Sequence, residues 1–218
     1  MIPIHMTIKR GALQGFIILI TIALTSCNKD DAIEFNDEYQ GGIVFYIFQE
    51  GDVGYIPGET HGLIVSFEDL QTSEGETEVV WGCCNDGFDC LDIPEAENDE
   101  IGSGKSNTEA ILNACDEIDI AARLCDDYSK EYNGVVYDDW YLPSYNEMLA
   151  MDADSDYIDQ NATYWSSSQD SSDFAVLFYQ DADYCYGNGP GAQDTCYFMH
   201  PEYIQKDYKC KVKPIRTF

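Results

Sequence analysis

Short apolar runs separated by Gly-, Pro- and Asp-rich segments occur towards both ends of this 218-residue chain. Runs of Val, Ile, Leu, Phe and Tyr that are bounded by turn-forming residues are typical of β-strands. On this basis we predict strands at 41–48, 62–66, 79–81, 163–167, 174–179 and 210–216. The stretches at 83–104, 129–139 and 180–200 lack a regular apolar pattern, and we predict that they are loops.

The middle of the chain has a helical pattern instead. Between residues 106 and 128, apolar side chains recur every three or four positions, which predicts one long helix that Asn107 can cap. A second, short helix is predicted from Ser144, because Ser144 and Glu147 match the S-x-x-E capping box. Strands, two helices and further strands, in that order, predict one α+β domain with short antiparallel sheets.

The N-terminus has the pattern of an export signal. Lys9 and Arg10 precede an apolar run at 15–24, which is about half the roughly 20 residues that a membrane-spanning helix needs. We therefore predict a secretory signal peptide at 1–26. The polar, acidic stretch 27–39 is predicted to be a tether, and 40–218 the folded domain.

The end of this signal resembles the lipobox of bacterial lipoproteins, in the residues Leu24-Thr25-Ser26-Cys27. In that family the cysteine is acylated, so the resemblance implies that Cys27 is the lipid attachment site. The following Lys29-Asp30-Asp31 is similar to the surface-export signal of Bacteroidota lipoproteins. Together they imply an exported outer-membrane lipoprotein at the cell surface, attached to the membrane by its lipid alone.

Charge narrows the class of partner. The chain has 41 acidic and 11 basic residues, with a formal net charge of -30. Nucleic acids and anionic membrane surfaces bind through Lys and Arg, so neither is expected as a partner. Aromatic residues make up 13% of the chain, whereas disordered acidic chains are poor in them. A folded domain that binds a neutral glycan or a cationic protein fits this composition.

The cysteine count supports export. With Cys27 assigned to lipid, an even number of cysteines remains, which in an exported chain favours disulfides. The disulfide candidates are Cys83, Cys84, Cys90, Cys115, Cys125, Cys185, Cys196 and Cys210. A zinc site is the alternative, although the Cys-x2-Cys spacing of zinc ribbons is absent.

Neighbouring cysteines suggest some of the pairings. Adjacent Cys83 and Cys84 are expected to have separate partners. Two local possibilities are Cys185 with Cys196, closing a loop, and Cys125 with Cys210. The full connectivity is not fixed by the sequence, since eight cysteines allow about 105 pairings.

Nine short motifs follow one another through the domain. They lie at 41–46, 62–65, 81–83, 101–104, 107–108, 121–125, 139–144, 164–168 and 212–216. In this order they resemble the C-terminal domain family of the Legionella collagen-like protein, over about residues 40–218. The resemblance implies a C-type-lectin-like fold, a compact scaffold whose variable loops bind glycans or proteins, and it does not imply catalysis.

A Tyr- and Gly-rich segment at 180–200 is the candidate ligand site. Aromatic rings stack on sugars and anchor protein partners, and long Gly-containing loops often carry function. The ligand-binding candidates are Tyr184, Tyr186, Tyr197, Asp181 and Asp183. The alternative is a surface loop tied by a disulfide, with its tyrosines partly buried. Trp140 and Trp165 are expected to be core residues rather than ligand contacts, and the serines at 166–168 are expected to form a strand end or turn rather than to bind a sugar.

Asp152, Asp154 and Asp156 form a possible calcium site just after the second predicted helix. They do not begin an EF-hand, because Tyr157 and Thr163 stand where that loop needs Gly and Glu. Three acids near a helix C-terminus are unfavourable without a cation, since the helix dipole is negative there. A solvated acidic loop is the alternative.

Catalysis has little support in the sequence. Beyond the predicted signal the chain has two histidines, His61 and His200, and no nucleophile, zinc-protease, phosphate-loop or dinucleotide motif. We therefore predict a non-catalytic binding or adhesion module. Two alternatives stay open: a carboxylate-based, glycan-active enzyme, and a structural surface protein that holds calcium.

Overall fold

The computed structural model describes residues 33–85, 89–152, 157–159, 161–186 and 193–218, and Ile33–Phe218 belong to one unit. Its strands are β1 (Glu38–Tyr39), β2 (Gly42–Ile47), β3 (Gly62–Ser66), β4 (Cys84–Asn85), β5 (Asp89–Cys90), β6 (Lys130–Tyr132), β7 (Val135–Tyr137), β8 (Tyr164–Gln169), β9 (Phe174–Tyr186), β10 (Gln193–Gln205) and β11 (Ile215–Thr217). Its helices are α1 (Gly104–Ala114), α2 (Ala121–Asp126) and α3 (Tyr145–Asp152), with a 3₁₀ turn at Pro94–Ala96. The predicted α+β class with antiparallel sheets is confirmed.

The first sheet joins the two ends of the domain. Its strand order is β1-β2-β3-β11, so the C-terminal strand pairs with the second apolar run of the sequence. Gly62 permits the close pairing of β3 with β2, because a Cβ there would lie 2.1 Å from the carbonyl oxygen of Tyr46. The sheet begins at Glu38, two residues inside the predicted tether.

The second sheet has the order β10-β9-β8. Every position of β8 is buried, which explains its lack of apolar and polar alternation. β9 and β10 pair without a break from Phe174 opposite Gln205 to Tyr186 opposite Gln193. The prediction that 180–200 is a loop is therefore wrong for the described part, where strands run through to Tyr186 and from Gln193.

The helical middle is divided where a single helix was predicted. α1 ends at Ala114, because the next residue, Cys115, is bonded to Cys83. Ile120 then forms a parallel bridge with Val80, and α2 begins only at the following residue. These contacts with distant segments override a local pattern that favours helix. The described residues therefore form three α-helices rather than the predicted two.

The capping box of α3 is confirmed. The backbone N–H of Ser144 donates to Oε2 of Glu147 at 2.7 Å, and the N–H of Glu147 lies 3.4 Å from the Ser144 hydroxyl. Satisfying these N–H groups fixes the start of α3 at Tyr145.

Asn107, in contrast, does not cap α1. It lies inside the helix and is fully buried, and its amide donates to the Asn98 carbonyl and the Ser167 hydroxyl. Its prediction as a cap is wrong because the helix starts one turn earlier, at Gly104.

A small hairpin occupies the predicted loop at 129–139. β6 and β7 pair across Asn133 and Gly134, which have φ angles of 51° and 80°. Two consecutive positive φ angles are the signature of a type I′ turn, for which Asn-Gly is the favoured dipeptide. The loop prediction overlooked this signal.

Two tryptophans connect the core elements. The indole N–H of Trp81 donates to the carbonyl of Ser166, and that of Trp165 donates to the carbonyl of Val79, each at 2.8 Å. Each ring is thus buried against apolar neighbours while its N–H is satisfied by a backbone carbonyl next to, or two residues from, the other tryptophan. Phe45, Tyr164 and Phe178 belong to a second apolar cluster against α3.

Two disulfides staple the segment before α1. Cys83 bonds to Cys115, and Cys84 bonds to Cys90, so the adjacent cysteines have separate partners as predicted. Cys125 and Cys210 are buried free thiols, and burial raises the pKa of both. The suggested bridge between them is therefore not formed.

None of the helices in the described part of the chain is long and apolar enough to cross a bilayer.

Candidate functional site

The far end of the β9–β10 hairpin extends beyond the third strand of its sheet. β8 pairs with β9 only as far as Phe178. From there, Tyr179–Tyr186 of β9 have β10 as their one strand neighbour in the described chain. We call residues 179–186 and 193–200 the ribbon. At about 3.4 Å per residue it extends the hairpin by roughly 25 Å.

The strand register sorts the ribbon into two faces. Residues that oppose each other on antiparallel strands share a face, and the faces alternate along each strand. Tyr184 opposes Thr195, Tyr186 opposes Gln193, and Ala182 opposes Tyr197. The complete face has the positions Gln180, Ala182, Tyr184, Tyr186, Gln193, Thr195, Tyr197 and Met199. It contains no Asp, Glu, Lys or Arg, and we call it the uncharged face.

The opposite face is acidic. Its positions are Tyr179, Asp181, Asp183, Cys185, Asp194, Cys196, Phe198 and His200. The five predicted ligand-binding residues are therefore divided by the register. Tyr184, Tyr186 and Tyr197 share the uncharged face, whereas Asp181 and Asp183 belong to the acidic face.

The two ribbon cysteines also share the acidic face. Cys185 opposes Asp194, and Cys196 opposes Asp183, so the two cysteines are diagonal neighbours rather than a directly opposed pair. Diagonal positions of a sheet lie about 7–8 Å apart between Cα atoms, at the limit of disulfide geometry. A bridge between them stays a prediction.

Most of the described basic residues outside the ribbon form ion pairs with acids. We call the described residues outside the ribbon the body. Its ion pairs are Arg123 with Asp126, Lys130 with Glu68, Lys209 with Glu76, Lys211 with Asp159 and Asp69, Lys213 with Asp69, and Arg216 with Asp139. Of the other two, Lys206 is buried and Lys105 has no ion pair among the described residues. Most surface carboxylates therefore have no neutralising neighbour.

Some of these acids line a cleft between the 3₁₀ turn and α1. The cleft has a volume of about 390 Å³, and its walls include Asp92, Glu95 and Glu109. Buried Ile93 contributes an apolar part of the lining. Such a surface can accept hydrogen bonds from hydroxyls or attract a cation.

A buried lysine lies next to this cleft. The ammonium of Lys206 donates to Oε1 of Gln169 at 2.6 Å and to the carbonyl of Leu91 at 2.8 Å. It also lies 4.5 Å from the centre of the Trp81 ring. Burial lowers the pKa of Lys206 to about 8, against the opposing effect of Asp92 and Asp173. The Lys206 ammonium therefore links Gln169, at the end of β8, to Leu91, just after β5.

Glu147 is the corresponding buried acid. Its carboxylate accepts N–H groups from Gly102 at 2.9 Å and Ser144 at 2.7 Å, and a further one from Gly104. It therefore lies at the N-termini of both α1 and α3, where negative charge is favourable. Burial nevertheless raises the pKa of Glu147 to about 7, while these N–H groups oppose the rise. Since the side chain is fully buried, a substrate in solution does not reach it.

The interpretation of Trp140 and Trp165 as core residues is confirmed, whereas the serines at 166–168, expected at a strand end or turn, lie inside β8. Trp140 and Trp165 are buried, and so are all three serines at 166–168. The serine hydroxyls are used inside the protein, for example Ser166 to the carbonyl of Val176 at 2.6 Å.

The remaining predicted sites are covered only in part. Asp152 is the last residue of α3, and Asp154 and Asp156 lie outside the described residues, as does Cys27. Among the described residues, the sulfurs of Cys83 and Cys115 lie within 4.8 Å of the Glu117 carboxylate. Because these sulfurs are bonded to each other, they are not available as metal ligands.

Comparison with protein-family models finds none that matches the chain, and a search of curated proteins finds no significant match.

Proposed function

We propose that this chain is a surface lipoprotein whose domain is a non-catalytic binding module for a glycan or protein ligand. The observation that carries the proposal is the ribbon, whose register gathers Tyr184, Tyr186 and Tyr197 on one uncharged face. Tyrosine gives a large contact area at low conformational cost, and its ring stacks on sugars and on protein side chains.

The family resemblance supports a separation between a scaffold and the ligand-binding ribbon. We propose that the domain is C-type-lectin-like, with the motifs as its scaffold. Trp81, Asn107, Trp140 and Trp165, which belong to those motifs, are all buried. The ribbon lies between the motifs at 164–168 and 212–216 and is itself outside the family-like motifs.

Charge supports the proposed ligand class. The chain has a formal net charge of -30, and nearly all cations of the described body are paired with acids or buried. Sulfated or phosphorylated ligands would be repelled, whereas a neutral glycan or a cationic protein would not.

The test is a binding panel of neutral glycans and surface proteins, run on the full chain with calcium and with a chelator. The variant Y184A/Y186A/Y197A is expected to lose at least tenfold in affinity, which corresponds to about 1.4 kcal/mol. The control D181N/D183N changes the other face and is expected to stay within about twofold for a neutral ligand. Equal binding by the tyrosine variant and the unmodified chain would remove the ribbon from the proposal.

A calcium-holding structural role is the second candidate. It is favoured by the surplus of carboxylates, in particular those of Asp92, Glu95 and Glu109 around one cleft. A large rise in melting temperature with calcium, without any glycan or protein binding in the panel, would favour this role.

A further inference from the structure

The outer edge of β10 is open along the strand. β10 is the last strand in the order β10-β9-β8, and no strand lies beyond it in the described part of the chain. About half of the backbone N–H and C=O groups of an edge strand point away from its single neighbour. Just past this edge, among the described residues, the carbonyl of Lys206 accepts the N–H of Trp81 at 2.9 Å.

This edge lacks most of the features that protect edge strands. Natural edges are short, bulged, or interrupted by Lys or Pro. β10 has 13 residues, where strands usually have about five or six, and its register with β9 has no shift. Neither β9 nor β10 contains Lys or Arg, and Pro201, near the body, is the one proline in β10. Tyr203, at the base of the edge, is 55% exposed.

Charge decides which strand can be added to such an edge. A second copy of this chain would bring the same net charge of -30 to a hairpin that already carries Asp181, Asp183, Asp194 and Glu202. Like charges at close range oppose that pairing. A cationic segment would be attracted instead, and strand addition to a sheet edge is a general mode of peptide recognition.

The two faces of the ribbon set the pattern of the added strand. Successive residues of a strand next to β10 would alternate between the face that holds the register positions Asp194 and Phe198 and the face that holds the positions Thr195 and Tyr197. Basic residues suit the first face and apolar or aromatic residues suit the second. We propose that the open edge of β10 binds, by strand addition, an extended segment of a partner protein in which basic and apolar residues alternate.

This inference rests on the proposed binding function and names its partner as a protein with such a segment. The probe is a nine-residue peptide of alternating Lys and Val, measured against the full chain by calorimetry. Its control has the same composition with the lysines grouped at one end. We expect the alternating peptide to bind at least tenfold more tightly than the grouped one.

Backbone methylation of the peptide separates strand pairing from simple charge attraction. Methylating the amides on one edge of the alternating peptide should abolish binding, whereas methylating those on the other edge should leave it within about threefold. This readout leaves the protein unaltered, so a folding defect cannot imitate the result.

Three outcomes would overturn the inference: equal affinity for the alternating and grouped peptides, equal effects of methylation on both edges, or a dimer of this chain that occupies the β10 edge. If glycans bind through the tyrosines while no peptide binds, the inference fails and the proposed function stands. If neither class of ligand binds, both fail.

Discussion

β8 is buried at every position, whereas β9 beyond Phe178 has only β10 beside it as a strand neighbour in the described chain. In the body, even charged groups are enclosed and satisfied, as Glu147 and Lys206 are. The ribbon, in contrast, is formed by one hairpin pairing with itself. A two-stranded ribbon is only marginally stable alone, so the body must position its base.

This difference indicates that the body provides the stability of the fold and that the ribbon provides ligand recognition. The residues of the family-like motifs build the body, so changing them is expected to reduce folding. The tyrosines of the ribbon lie outside those motifs, so changing them is expected to reduce binding and leave the fold intact. The two regions can therefore be separated by experiment.

The largest effect is expected from Glu147→Ala. This change leaves the N–H groups of Gly102 and Ser144 buried without an acceptor at the start of two helices. Each unsatisfied buried donor costs about 1–3 kcal/mol, so we expect the free energy of unfolding in urea to fall by about 3–5 kcal/mol. The control is Glu131→Ala on exposed β6, with an expected change below about 0.5 kcal/mol. Similar losses in both variants would show that the carboxylate does not hold the helices.

The sequence predicted well those elements that depend on neighbouring residues. The strands β2 and β3 follow from apolar composition, and α3 follows from Ser144 and Glu147, which satisfy each other within one turn. The Asn133-Gly134 turn was equally local and could have been predicted from its dipeptide.

Other features depended on distant contacts. The break between α1 and α2 is produced by the bonding of Cys115 to Cys83 and by the bridge of Ile120 to Val80. The ribbon was mistaken for a loop because neither of its strands has the apolar alternation that a buried face imposes. The sharing of one face by Tyr184 and Tyr197 required the register of two strands, which a single strand does not contain.

Measuring the unfolding free energy over a series of pH values tests one buried group of the body, the carboxyl of Glu147. Burial raises the pKa of Glu147 from an ordinary 4.5 to about 7. Between these values the folded chain keeps a proton that the unfolded chain has released. The stability contributed by Glu147 is therefore fully present below about pH 4.5 and is lost as the pH rises through about 7.

The reference for that series is Glu147→Gln, which cannot titrate at this position. We expect the unfolding free energy of the unmodified chain, relative to this variant, to fall by about 2–3 kcal/mol between pH 4.5 and 7.5. Taking the difference removes the other titrating groups, which both proteins share. A difference that stays constant over this range would mean that Glu147 has an ordinary pKa.

The smallest effect on stability is expected from removing most of the ribbon. Gln180 and Met199 oppose each other in the register, so replacing residues 181–198 by Asn-Gly closes a two-residue hairpin at that point. The removed segment adds no strand pairing to the body, since β8 contacts β9 only as far as Phe178. We expect the free energy of unfolding to change by less than about 1 kcal/mol, while binding of any ribbon-dependent ligand is lost. A truncated chain that fails to fold would mean that the ribbon contributes to the body's stability, and the division between a stabilising body and a recognising ribbon would then be wrong.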